Sequence, residues 1–385
     1  MPATSIRSPF LSLPGAVVTA VGSPDPDVAA RYGNPLVEQR TLASGSAIVD
    51  LSSRGVVTVA GPDRLSWLDS MTSQALKGLK PGVSAEALLL DPAGHVEHAL
   101  HVIDDGETTW LLVEGSDTDA VLDFLQKMRF MLRVDPADRT GEFATIGSTV
   151  PAATLGVQPA ASAGVPLVWA DPWESVVAGG HQYAAERPAE HYAWFETLVP
   201  RDALDEIAAR AASGEPAVAG ADAAEALRIA GWRPRLAAEV DERTIPHELD
   251  WLRTAVHLSK GCYRGQETVA KVHNLGHPPR RLVFLHLDGS ESAQVSAGAE
   301  VFATAANGDD QVVGRVTSAA LHHELGPIAL AVVKRSTDAA ATLRVAADGV
   351  LVAASQELIV PPDAGAEANV PRIPRLGQVT RTPRS

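Results

Sequence analysis

The chain has 385 residues, 45% apolar and 21% charged, with a formal net charge of −15 and a pI near 5.2. That length exceeds what one core usually serves, so about two or three domains are expected. The acidic balance argues against stable nucleic-acid binding, which wants a basic face, and no run of about 18 apolar residues is present to span a membrane. Residues 1–7 lack a charged-then-apolar export pattern. A single cysteine suits a reducing compartment, and together these predict a cytoplasmic protein.

The first predicted strand is Gly55 to Ala60, punctuated by Gly61-Pro62. Asp63 is placed to cap a helix whose apolar positions Leu65, Leu68 and Met71 recur at helical spacing. A hairpin is expected from Ala87 to Val102, turning at Asp91-Pro92-Ala93-Gly94. A strand at Thr108 to Val113 and a helix from Asp117 follow, with Val121, Leu122, Leu125 and Met128 on one face. Two strand–helix units around a hairpin predict a ferredoxin-like α+β layer. Residues 136–180 read as short strands and connections.

Helical pattern resumes after Pro200-Arg201-Asp202, where Leu204, Ile207, Ala208 and Ala211 make a stripe that stops near Gly214. Asp222 with Glu225 three residues on reads as an N-terminal capping pair for a helix ending at Gly231. From Arg281 the pattern becomes all-β, with strands at 282–287, 312–317 and 328–333 and turn signals at Asp288-Gly289 and Asn307-Gly308. This predicts a barrel or sandwich of roughly 80 residues. The tail after Pro361-Pro362 has a disordered composition.

The chemistry-bearing feature is the lone Cys262, in the run Lys260-Gly261-Cys262-Tyr263-Arg264-Gly265-Gln266-Glu267-Thr268. One thiol cannot make an intramolecular disulfide, nor alone hold an iron–sulfur cluster, which needs about four ligands. Lys260 and Arg264 flank it, and Gln266 onward reads as the start of a helix; cations and a helix N-terminus both favour a thiolate. The alternative is a small buried hydrophobe. His257, five residues earlier, could pair with the thiol as in a protease, although nothing marks an acyl-transfer site.

Other groups carry two readings each. His273 and His277 could ligate a metal, but Asn274, Gly276 and Pro278-Pro279 suggest a loop, so no metal site is expected. His322-His323 reads as a solvent-facing turn. Arg280-Arg281 suits either an anionic ligand or, alternatively, an interdomain salt bridge or a solvated pair. Trp251 and Arg253 could line a cavity near the cysteine loop, or simply pack. No glycine-rich phosphate loop is present.

The octapeptide Lys260 to Glu267 resembles the signature of the YgfZ-type folate-binding proteins, relatives of the glycine-cleavage T-protein that support iron–sulfur enzymes. Tyr32-Gly33-Asn34-Pro35 with Glu38, residues 48–55, Val59 to Arg64, Leu227-Arg228-Ile229, Ile245 to Glu248, Val313 to Ser318 and Leu325 to Ala329 resemble further parts of that family. The likeness covers roughly residues 30–336. It implies an α+β, three-domain T-protein-like ring, with ferredoxin-like and Greek-key-type layers, around a folate-sized cavity. The implied organisation is an N-terminal extension over 1–29, two intertwined folate-binding domains over 30–279, a β-barrel over 280–362 and a disordered tail over 363–385.

By the same resemblance, tetrahydrofolate is the expected ligand and iron–sulfur proteins or cluster-assembly factors the expected partners. Cys262 and Lys260 are the expected catalytic residues. Tyr263, Gln266, Glu267, Arg228, Trp232, Trp251, Arg253 and Glu97 are the expected folate contacts, Trp232 by stacking and Arg228 or Arg233 toward a glutamate tail.

Two departures matter. Where the T-protein has an acidic pair in the manner of Gly-x-x-Asp-Asp-Leu, this chain has Gly94-His95-Val96-Glu97-His98. Where related proteins have a glutamate after Leu-Arg-x, this chain has Ala230. Both move the expectation from tetrahydrofolate-dependent aminomethyl transfer toward an accessory protein acting through its thiol. A folate-binding module without chemistry is the third reading.

Overall fold

The computed structural model describes residues 7–185, 192–290, 293–304 and 308–368. Two five-stranded sheets and a closed six-stranded barrel organise the chain. The first sheet runs in the order Val168–Ala170, Phe195–Pro200, Phe143–Ser148, Ala47–Asp50, Ala217–Ala219, and only its last pair is parallel. The second runs Ser84–Leu90, Val96–Asp104, Thr108–Val113, Gly55–Ala60, Asp135–Asp138, with every neighbouring pair antiparallel.

Alternation along these strands divides the second sheet between two cores. Val57, Val59, Leu100, Val102 and Leu111 face the helices Arg64–Met71 and Thr118–Lys127, meeting Trp67, Leu68, Val121 and Leu125. Val56, Ala99, Ile103, Trp110 and Leu112 face inward to the central core shared with Trp169, Trp173, Trp194 and Trp251. The helix Ala203–Ala212 buries the four predicted positions Leu204, Ile207, Ala208 and Ala211 on the outer face of the first sheet.

The barrel closes Arg280–Leu287, Gly326–Lys334, Asp310–His322, Glu300–Thr304, Leu343–Ala347 and Val350–Leu358 into one ring. Val283, Leu285, Val316, Val333 and Val345 fill it. Leu282 and Phe284, on the opposite face of the same strand, join the central core. Arg280 bridges Asp241 at 2.5 Å and Glu248 at 2.8 Å, so it serves as the interdomain salt bridge. Arg281 is fully buried and donates to the Thr337 carbonyl at 3.0 Å and to Gln356 at 3.1 Å.

Several local expectations change. Asp63 makes no capping hydrogen bond, because its carboxylate holds the Arg133 guanidinium at 2.8 Å and accepts the Arg133 backbone N–H at 3.0 Å. The Asp222–Glu225 pair does not cap either: the helix Ala221–Ala230 begins after Gly220, whose N–H donates to Glu38 at 2.8 Å. Met128 lies past the helix end and is exposed. His273 is helical, since the helix Gln266–Leu275 runs past it, and His322 is buried rather than solvent-facing. In the N-terminal stretch, Phe10 is fully buried and Asp25 nearly so. Residues 364–368 also pack onto the fold, with Ala364 buried. Asn307 and the tail beyond 368 fall outside the described residues.

Candidate functional site

Cys262 is exposed at the tip of a loop between the Ser259 region and the helix Gln266–Leu275. Gly265 makes the turn into that helix with φ +81°; a Cβ there would lie 2.7 Å from the Asp91 carbonyl oxygen. A side chain would therefore push the loop off the Asp91–Gly94 hairpin.

Both cations that flank the thiol are committed elsewhere. The Lys260 ammonium donates to the backbone carbonyls of Asp69, Thr72 and Gln74, the latter two at 2.8 and 2.7 Å. Its burial outweighs the nearby Asp69 carboxylate and pulls its pKa below the ordinary lysine value. Arg264 pairs with Glu97 at 2.7 Å and lies over the Phe124 ring at 5.8 Å. Lys260 thus clamps this loop to the 69–74 segment. His257 accepts the Ser259 N–H at 3.3 Å through Nδ1.

A second locus lies where the sheets and helix Ala221–Ala230 converge. A cavity of about 70 Å³ is walled by Tyr192, Trp194 and Trp251, with Glu196, Asp171 and His101 supplying polar groups. Four arginines are held against it by carboxylates. Arg54 and His101 both engage Glu196, His101 at 2.9 Å while stacked on Trp169 at 3.7 Å between ring centroids. Arg233 bridges Asp171 at 2.9 Å and Glu86 at 2.7 Å. Arg235 bridges Asp25 and Glu114 at 2.7 and 2.6 Å. Arg228 holds Glu225 at 2.5 Å and Glu239 at 2.9 Å.

Burial would raise the Glu196 carboxyl, but Arg54 and His101 hold it far below the usual carboxylate range. For Asp171 burial wins despite Arg233, so its carboxyl binds a proton more readily than usual. This arrangement sets arginine-bound carboxylates beside aromatic faces. It offers no nucleophile, and Cys262 is not among its walls.

The expected folate contacts separate into two groups. Arg228 and Trp251 line the cavity, with Trp251 donating its indole N–H to Glu86 at 2.8 Å. Trp232 is buried 6.0 Å from Phe284, between ring centroids, at the barrel junction. Arg253 lies over the Trp173 ring at 4.6 Å and donates to Gln182 at 2.9 Å. Tyr263 is buried beneath Lys260, Gln266 donates to the Lys260 carbonyl at 3.3 Å, and Glu267 is exposed. Glu97 faces Arg264, whereas His98 points to the other side of its strand, 2.8 Å from Asp117.

Sequence reasoning missed Glu196, Asp171, His101, Tyr192, Arg235 and Asp25. Two signals were available: arginines spaced around a proline in Arg233-Pro234-Arg235, and Asp171 between two tryptophans. Asp25 carried none.

An open cleft of about 820 Å³ lies on the barrel side of this cavity, and Glu225 lines both spaces. Its walls include the barrel strands Asp310–His322 and Gly326–Lys334 and the helix Leu236–Glu239. Among the described residues there is no cluster of His, Cys, Asp and Glu suited to a metal ion, and no helix long and apolar enough to cross a membrane.

Comparison with known proteins fits this architecture. Residues 280–358 match the glycine cleavage T-protein C-terminal barrel domain. Over 334 residues the chain is 25% identical to an aminomethyltransferase of Corynebacterium jeikeium, spanning 80% of this chain and 84% of that one. An aminomethyltransferase of Streptomyces avermitilis is 26% identical over 333 residues, 84% of this chain and 87% of that one. A crystal structure of glycine cleavage system aminomethyltransferase T from Bartonella henselae superposes with a TM-score of 0.68 at 17% identity, covering 89% and 92% of the two chains.

Proposed function

From a T-protein-like fold whose relatives are named aminomethyltransferases, we propose that this chain binds a reduced folate where its domains meet. The carrying observation is the cavity with three aromatic walls, Tyr192, Trp194 and Trp251, and the carboxylates of Glu196 and Asp171 beside them. Glu196 and Asp171 would accept hydrogen bonds from the amino-pyrimidine edge, and Tyr192, Trp194 and Trp251 would flank the ring. The donor set fits; the inner cavity alone does not, since small-molecule pockets usually measure about 300–1,000 Å³. Binding therefore requires part of the arginine–carboxylate network to open toward the adjoining cleft. When bound, a reduced folate supplies a nitrogen carrier for a one-carbon group.

The finer reading is an accessory role in iron–sulfur cluster assembly or repair, with Cys262 as the reacting or docking group. It rests on the resemblance of residues 260–267 and on the exposure of the thiol. The state of Glu97 and His98 supports it over aminomethyl transfer: one acid is neutralised by Arg264, and its neighbour is a histidine turned to the opposite face. The names of the relatives favour the second reading, a tetrahydrofolate-dependent aminomethyltransferase.

Titration with 5-formyltetrahydrofolate tests the common premise. Saturable binding is expected, weakened at least tenfold by Glu196→Gln; no saturation at high micromolar ligand would sink every folate reading. Release of ammonia and methylene-tetrahydrofolate from an aminomethyl donor would favour the transferase. Reduced iron–sulfur enzyme activity in cells carrying Cys262→Ser, with folate binding intact, would favour the accessory role. Unchanged activity would leave a passive binding module.

A further inference from the structure

A thin wall divides the inner cavity from the open cleft, and one stretch of it comes from near the N-terminus. Asp25 lines the cavity, whereas Gly22 and Pro24 line the cleft. Leu236 and Ala237 divide in the same way, and Glu225 faces both spaces. These pieces are held very differently. Glu239, in the same short helix as Leu236 and Ala237, is fixed by Arg228 at 2.9 Å, by the Thr317 hydroxyl at 3.0 Å and by the Arg235 N–H at 2.9 Å. Glu225 is held by Arg228. Residues 19–28, by contrast, form a turn between the two-residue strand Val17–Val18 and the strand Ala29–Arg31. Residues 20–22 and 26–27 of this turn are exposed, on either side of buried Asp25.

The turn carries its own bracing. The Thr19 N–H donates to the Val28 carbonyl at 3.0 Å, the Thr19 hydroxyl to the Asp25 carbonyl at 2.8 Å, and the Asp25 N–H to the Ser23 hydroxyl at 3.2 Å. It grips the wall through the Asp25 carboxylate, which takes both arms of the Arg235 guanidinium at 2.7 and 2.9 Å and lies 3.7 Å from Arg54. Breaking a buried ion pair is costly mainly because it strands a charge. Here neither arginine is stranded when Asp25 leaves, because Arg235 keeps Glu114 at 2.6 Å and Arg54 keeps Glu196. The freed carboxylate passes to water, since the turn that carries it already lies at the surface. The volumes call for such an opening: the cavity of about 70 Å³ is too small for a ring ligand, and about 820 Å³ lies beyond the wall.

We infer that residues 19–28 are a lid on the passage between cleft and cavity, latched shut by Asp25 on Arg235 and Arg54. Opening it merges the two spaces while the Glu225 and Glu239 side of the wall stays fixed. Its part in ligand entry rests on the folate reading; the latch itself does not.

Stopped-flow mixing of the full chain with 5-formyltetrahydrofolate, followed by tryptophan fluorescence, tests the lid. In the parent protein the observed rate should level off at high ligand concentration, at the rate of lid opening. Asp25→Asn should raise that ceiling about tenfold, and Thr19→Val, which removes the brace on the Asp25 carbonyl, about threefold. Thr19→Val leaves every charge in place, so its gain cannot come from weaker repulsion of an anionic ligand. A parent rate that climbs without a ceiling, or a ceiling that either folded variant leaves unmoved, overturns the lid and leaves the folate reading standing. If nothing binds, the folate reading falls and hydrogen exchange of the free chain decides. Faster exchange in Asp25→Asn confined to residues 19–28 and to the cavity wall at Glu114 and Arg235 upholds the lid. Exchange that is unchanged, or faster throughout the chain, overturns it.

Discussion

Asp250 shows how a single buried carboxyl sets a pH response. It sits at φ +56°, fully buried, accepting the Tyr183 N–H at 2.6 Å, while its second oxygen makes no hydrogen bond and faces Arg253 at 3.8 Å. Burial pushes its pKa from 3.8 to about 7. The folded chain therefore holds this proton more tightly than the unfolded chain does. The stability it contributes is complete below pH 3.8 and is lost as pH rises through about 7. At about 1.36 kcal/mol per decade of proton affinity, the loss is on the order of 4 kcal/mol. Asp250→Asn keeps an acceptor for Tyr183 and suits the left-handed backbone. Thermal unfolding should show it stabilising the chain at pH 8 and changing little at pH 4; an equal effect at both would disprove the assignment.

Lys260 marks where residue-level reading stopped. Spacing correctly placed a cation two residues from Cys262, but spacing does not aim a side chain across a glycine-rich turn. Its partners, the carbonyls of Asp69, Thr72 and Gln74, lie almost two hundred positions upstream.

Elements defined by their own periodicity were legible before the fold was known. The helix Ala203–Ala212 carries its burial pattern in four residues, and the barrel strands Arg280–Leu287 and Gly326–Lys334 alternate between two cores. Helix starts were less legible, because their N–H groups were satisfied from afar. Glu38 takes the Gly220 N–H as well as those of Tyr32 and Gly33, at 2.9 and 2.7 Å. Glu38→Ala should thus loosen both the 32–35 turn and the start of helix Ala221–Ala230, costing about 2 kcal/mol in denaturant unfolding. Glu38→Gln, which keeps an acceptor, should recover part of that. The Arg264–Glu97 pair is a weaker tie. Both side chains are about one-third exposed, so a double-mutant cycle should return a coupling of about 0.2–1 kcal/mol.

At the scale of the molecule, the barrel is fastened by Arg280 to a carboxylate, Glu248, whose side chain has no solvent exposure. Arg280→Ala strands that charge, and breaking a buried pair costs about 3–5 kcal/mol. The outcome should be a separate, earlier unfolding transition for one part of the chain, visible by calorimetry; a single unshifted transition would refute it. The arginine–carboxylate network was the least legible part of the site. It joins Asp25, Arg54, Glu114, Glu196 and Arg235 from five separate stretches, and no local pattern announces such a meeting.

The strap formed by residues 364–368 ties the far end of the sequence to the thiol loop. The N–H groups of Ala366, Glu367 and Ala368 donate to the carbonyls of Val272, His273 and Asn274, the last turn of the helix that begins beside Cys262. Gly365, at φ +85°, lies so close that a Cβ there would meet the Gly276 carbonyl oxygen at 2.4 Å. A chain cut back to Asp363 would lose every one of these donors. Fraying would then enter the helix from its far end, and the thiol would report the truncation through faster alkylation, ten residues from the nearest missing bond.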